Sequence, residues 1–72
     1  MPKLPKSREV VCIIEKLGFV FSRQKGSHAI YYRSSDKKRV TIPIHGGKEI
    51  SPGVFNQILK DINLSSVEFW KM

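Results

Sequence analysis

Between residues 19 and 44, three short runs of aromatic and β-branched side chains are separated by only two tight turns. Phe19-Val20-Phe21-Ser22-Arg23-Gln24, then Ser27 to Arg33, then Arg39-Val40-Thr41-Ile42-Pro43-Ile44 read as strands. Lys25-Gly26 and Ser34-Ser35-Asp36-Lys37 read as the turns. Parallel pairing needs a crossover of about a dozen residues or more, so connections this short force an antiparallel meander. Val40, Ile42 and Ile44 share one parity and therefore one face. Pro43 cannot donate a ladder hydrogen bond, which assigns it to an edge strand or a strand end.

Such a sheet needs a cover on one face, and two amphipathic segments are available for it. Val10, Ile13, Ile14 and Leu17 recur at i, i+3, i+4 and i+7 behind a capping Ser7. Gly18 stands where a left-handed C-terminal residue is wanted. A second helix is expected behind the cap Ser51 and the first-turn Pro52, with Val54, Phe55, Ile58, Leu59 and Ile62 on its apolar stripe and Asn63 ending it. Ser65-Ser66-Val67-Glu68 has the form of a capping box and leads into a short helical turn with Phe69 and Trp70. The expected fold is α+β: an α-β-β-β-α order, a three-stranded antiparallel sheet, two helices on one face and a short C-terminal helix. This is the layout of the double-stranded-RNA-binding domain. Its uncovered sheet face is left to solvent or a ligand, and the layout alone does not fix a function.

A chain of 72 residues is expected to form one domain, 1–72, with a marginal core. Cys12 is the single cysteine, so no internal disulfide can reinforce the fold, and a lone reduced thiol fits a reducing compartment. The first residues lack the apolar core of a signal peptide and no run is long enough to span a bilayer, so a cytoplasmic protein is expected, with no membrane role. Thirteen Lys and Arg against six Asp and Glu give a net charge of +7. That excess favours a polyanionic partner. Both helices carry polar faces of mixed sign rather than the basic face of a membrane-surface helix, which ranks nucleic acid ahead of lipid. Nothing forces an oligomer, and the free protein is expected to be a monomer.

Gly26-Ser27-His28 is the sharpest local feature. Glycine lets the backbone approach a ligand closely, and imidazole exchanges protons near neutrality. RNA cleavage needs such a group: a base removes the 2′-hydroxyl proton, the oxygen attacks phosphorus, and an acid protonates the departing 5′-oxygen. Arg23, Lys25, Lys37, Lys38 and Arg39 lie near the hairpin ends and are candidate phosphate ligands that would stabilise the developing charge. By itself the pattern also fits a polar strand residue beside a hairpin. His45 precedes a Gly-Gly loop and is read as bonding that loop, with a supporting site role second. No H-x-x-x-H, carboxylate cluster or second cysteine suggests a metal site, so any catalysis is expected to be metal-independent and without cofactor. Gly46-Gly47-Lys48 lacks the full phosphate-loop pattern. Nothing near Cys12 would lower its pKa to make a nucleophile. Tyr31 and Tyr32 point to opposite faces, one into the core and the other free to stack on a base.

The order of these residues resembles the HicA-type toxins of bacterial and archaeal toxin–antitoxin modules. The resemblance runs through Leu4-Pro5, Leu17-Gly18-Phe19, Gly26-Ser27-His28, Ile42-Pro43 with His45, Lys48-Glu49-Ile50, Gly53, Ile58-Leu59 and Phe69, nearly the whole chain. It implies a messenger-RNA interferase in which His28 is the catalytic residue, with Gly26 and Ser27 holding it in place. His45 and Lys48 match recurring positions of structural or substrate-positioning role. It further implies a cognate HicB-type antitoxin that covers the histidine, for which the basic surface suits an acidic patch. The sequence departs from the family at Ala29, where many relatives carry a bulky residue or a second histidine. It departs again near Asn56, where a basic residue is common. The competing expectation is a binding module of the same fold that holds RNA without cutting it.

Overall fold

The structure, a computed structural model, describes residues 3–44 and 46–72. Its elements run α1 (Ser7–Lys16), β1 (Val20–Lys25), β2 (His28–Arg33), β3 (Lys38–Pro43), α2 (Pro52–Ile62) and α3 (Ser66–Trp70). The strands form one antiparallel sheet in the order β1-β2-β3. This is the expected α+β, double-stranded-RNA-binding-domain-like order, with strand ends displaced by about a residue. Pro43 closes β3, which is an edge strand, where its missing N–H costs no ladder bond.

Ala29 and Tyr31 of β2 and Val40 and Ile42 of β3 are buried against Val10, Ile13 and Ile14 of α1 and Phe55, Ile58, Leu59 and Ile62 of α2. Both helices therefore lie on one face of the sheet. The alternate residues His28, Ile30 and Tyr32 of β2, with Arg39 and Thr41 of β3, lie on the other face. Phe69 is buried beside Phe55, with ring centroids 5.1 Å apart and nearly perpendicular, and this packing docks α3 on α2.

The helix ends show how the sequence stops and turns. Gly18 takes φ +97° after α1, and the Phe19 amide donates back to the Ile14 carbonyl at 3.0 Å, a left-handed cap closed by two buried side chains. Asn63 takes φ 58° after α2, and the Leu64 amide donates to the Leu59 carbonyl. Two expected starts differ in detail. Lys6, not Ser7, occupies the N-cap of α1; Ser7 is the buried first helical residue, and the Lys6 amide donates to Glu9 Oε1 at 2.9 Å. Ser51 holds the N-cap position of α2, but its hydroxyl makes no capping bond. The box in front of α3 forms as expected: the Ser65 amide donates to Glu68 Oε1 at 2.9 Å and the Glu68 amide to Ser65 Oγ at 3.1 Å.

Candidate active site

His28 is the first residue of β2 and is exposed on the open sheet face. Gly26 and Ser27 form the two-residue turn that delivers it. Gly26 sits at φ +61°, a left-handed conformation that glycine adopts without strain, and it occupies the first turn position, where hairpins of this kind want it. Gln24 Nε2 donates to the Gly26 carbonyl at 3.0 Å, and the Ile44 amide donates to the Ser27 carbonyl at 2.6 Å. The turn is thus tied both to β1 and to the end of β3.

Lys25 stands directly opposite His28 on one side and Pro43 on the other. Directly opposed side chains in an antiparallel pair lie about 5 Å apart at Cβ, so the Lys25 ammonium is within reach of anything bound at the imidazole. Arg23 joins the same face because of an irregularity. Phe21 pairs with Tyr31, yet Arg23 pairs with Ile30, so Ser22 is the extra residue of a β-bulge. Arg39 pairs with Tyr32, four residues along β2 from His28, which is about 13 Å at the usual rise per residue. Ser22, Arg23, Ile30, Tyr32 and Arg39 line a shallow cavity of about 460 Å³ on this face.

Not every candidate cation gathers there. Lys37 lies in the β2–β3 turn, at a positive φ of 57°, and Lys38 opens β3 opposite Arg33. Both are at the end of the sheet remote from His28. Lys38 also has the parity of the helix-covered face, so these two do not surround the histidine as their place beside a hairpin end suggested. Lys48 is exposed in the segment between β3 and α2. His45 lies outside the described residues.

A second group reaches His28 from the chain beyond β3. His28, Thr41, Pro43, Glu49, Ser51 and Val54 line one cleft of about 330 Å³ between the open sheet face and the start of α2. Glu49 is carried there by two anchors. It forms an isolated antiparallel bridge with Lys6, and the adjoining Ile50 is buried, its amide donating to the Pro5 carbonyl at 2.8 Å. Sequence patterns single out neither Thr41, Glu49 nor Ser51 as a neighbour of His28. The one local signal is Glu49 between a polar lysine and a core isoleucine, which marks an outward-facing residue but not what it faces.

Arg33 is the arginine withdrawn from this surface. Its Nη1 donates to the Leu17 carbonyl at 2.8 Å, its Nε and Nη2 bind Asp36, and its guanidinium lies 4.5 Å from the centre of the Phe19 ring. Tyr31, buried on the helix side, has its hydroxyl pKa raised, chiefly by burial and further by Glu15. Among the described residues, no three of His, Cys, Asp and Glu gather in a metal-holding group, and no helix is long and apolar enough to cross a membrane.

A protein-family model described as the HicA toxin of bacterial toxin–antitoxin matches residues 7–64, from the first turn of α1 to just beyond α2. No curated protein matches the chain. The matched span holds all three strands, both long helices and the cleft around His28, and on it the chain belongs to the HicA toxin family of bacterial toxin–antitoxin systems.

Proposed function

We propose that this toxin is an endoribonuclease that cuts messenger RNA with His28 as a proton carrier. The observation that carries the reading is the joint placement of an exposed imidazole on an open sheet face, the cation Lys25 directly opposite it, and a concave cleft beside it. The chemistry is transesterification. The 2′-oxygen attacks the adjacent phosphorus, its proton passes to a base, and the 5′-oxygen leaves with a proton from an acid. The products are a 2′,3′-cyclic phosphate and a free 5′-hydroxyl. His28 supplies one of these proton transfers, and Lys25 and Arg23 offset the charge that grows on the phosphoryl oxygens.

Arg23, Lys25 and Arg39 would form the central phosphate track on the open face. Lys37, Lys38 and Lys48 are peripheral to it, and His45, outside the described residues, keeps only a supporting role. Gly26 and Ser27 hold His28 at the turn. The cognate antitoxin expected for a toxin of this family would neutralise it most directly by covering the same face, with acidic groups against its cations.

The deciding experiment incubates the chain with a long single-stranded messenger RNA in excess EDTA, beside His28→Ala, and resolves the products on a denaturing gel. Cleavage by the unaltered chain alone is the expected result. RNA binding by both with cleavage by neither would leave a binding module of the same fold.

A further inference from the structure

We infer that Glu49 is the general base that works with His28, its carboxylate taking the 2′-hydroxyl proton while the His28 imidazolium protonates the departing 5′-oxygen. The inference rests on the ribonuclease function proposed for His28 and assigns the half of the proton traffic which that function leaves open.

One turnover needs a proton acceptor on the 2′ side and a donor on the 5′ side of the same phosphorus. A single imidazole cannot be in both states when the reaction starts. Of the residues that line the His28 cleft, Thr41 and Ser51 offer hydroxyls, which are poor bases near neutrality, and Pro43 and Val54 offer nothing. Among the described residues that line it, Glu49 is the one carboxylate, and an ionised carboxylate can only accept. The remaining acidic side chains are placed elsewhere. Asp36 is held by Arg33 at the far turn, Glu9 and Glu15 ride on α1, Asp61 on α2 and Glu68 on α3.

Its placement is also costly for any role in binding alone. A carboxylate beside an RNA-binding histidine repels phosphate in a chain of net charge +7. Yet the backbone fixes it there, by the bridge to Lys6 and by the buried Ile50 next to it. The proton and electron accounts close without another reactant. Glu49 gains the 2′ proton, the new O2′–P bond forms as the P–O5′ bond breaks, and O5′ receives the His28 proton. Proton exchange with solvent then restores both groups.

Glu49→Gln keeps size and exposure but removes the base. It is expected to slow cleavage by about 10²-fold or more, while RNA affinity stays equal or rises. The two roles are separated with RNA carrying a 5′-bridging sulfur at the scissile linkage, because a thiolate leaves without being protonated. On that substrate His28→Ala is expected to recover most of its lost rate and Glu49→Gln to remain slow. Wild-type cleavage by Glu49→Gln on ordinary RNA would overturn the inference and leave His28 as the ribonuclease centre. Rescue of Glu49→Gln by the sulfur leaving group would overturn it as well. Absence of cleavage by the unaltered chain would instead remove the ribonuclease function itself.

Discussion

Arg23 stands opposite Ile30 although Phe21, only two residues earlier, stands opposite Tyr31. The bulge at Ser22 absorbs the extra residue, and in doing so moves Arg23 and Lys25 from the face of Phe21 to the face of His28. A continuous strand would have aimed both cations toward the helix side. The basic character of the open face therefore depends on one irregular residue as much as on the charges themselves.

RNA binding should report that placement. Arg23→Ala, Lys25→Ala and Arg39→Ala are each expected to weaken binding and to flatten its salt dependence. The slope of log K against log salt should fall by about 0.7 for each phosphate of a single strand that is no longer neutralised. Lys37→Ala, at the remote turn, is expected to change the slope less. Titrations between low and moderate salt check this, and slopes unaltered by the three open-face substitutions would remove the phosphate track.

Arg33 should behave differently from every other arginine tested. It ties the end of β2 to the end of α1 through the Leu17 carbonyl and covers the Phe19 ring. Arg33→Ala is expected to destabilise the fold by about 1–2 kcal/mol, since it strips partners from a part-buried carbonyl and from Asp36 and uncovers an aromatic face. Arg33→Lys should recover little, because an ammonium cannot fork between carbonyl and carboxylate. Urea denaturation measures the loss, and an unchanged RNA salt slope would separate this structural cation from the binding ones.

Much of the fold is legible in the order of residues because the signals are local and agree. The 3.6-residue stripes of α1 and α2, Gly18 and Asn63 at the left-handed positions, and the Ser65–Glu68 box each point to the observed structure without help from distant parts of the chain. The site is only half legible. Gly26-Ser27-His28 announces a turn and an exposed histidine, but strand parity carried straight through Ser22 puts Arg23 on the wrong face. Nearness to a hairpin end does not say which end of the sheet, so Lys37 and Lys38 look closer to His28 in sequence than they are in space. Glu49 is hidden for a third reason. Its position is set by a bridge to Lys6, forty-three residues away in the chain, and no pattern within a strand or helix encodes such a return.

Acid should loosen the start of α3 and the β2–β3 turn. The Ser65 amide, and then the Ser65 hydroxyl, hold the Glu68 carboxyl below its ordinary pKa. The Arg33 guanidinium holds Asp36 below its own, first by hydrogen bonding. A carboxyl whose folded pKa is depressed contributes stability that is fully present above its unfolded value and is lost as pH falls through the folded one. Stability is therefore expected to decline from the ordinary carboxylate range downward. Glu68→Gln keeps a neutral capping partner and should flatten part of that decline. Denaturation midpoints across acidic pH test it, and parallel curves for Glu68→Gln and the unaltered chain would refute the assignment.

Tyr32 offers the sharpest test of how RNA lies on the open face. The ring is half-buried, directly opposite Arg39, and lines the 460 Å³ cavity with Arg23 and Ile30. An aromatic floor between two guanidinium groups suits an unpaired base with phosphates to either side, and base stacking of this kind contributes about 1–3 kcal/mol. In a His28→Ala background, where RNA stays intact, Tyr32→Ala is expected to weaken binding of single-stranded RNA by roughly 5- to 150-fold on that scale. Tyr32→Phe keeps the ring and should bind nearly as the parent does. A fully paired RNA hides its bases inside the helix, so its binding should be nearly indifferent to either substitution. Equal losses for single-stranded and paired RNA would mean that Tyr32 supports the sheet rather than a base, and unchanged binding by Tyr32→Ala would take RNA off this part of the face.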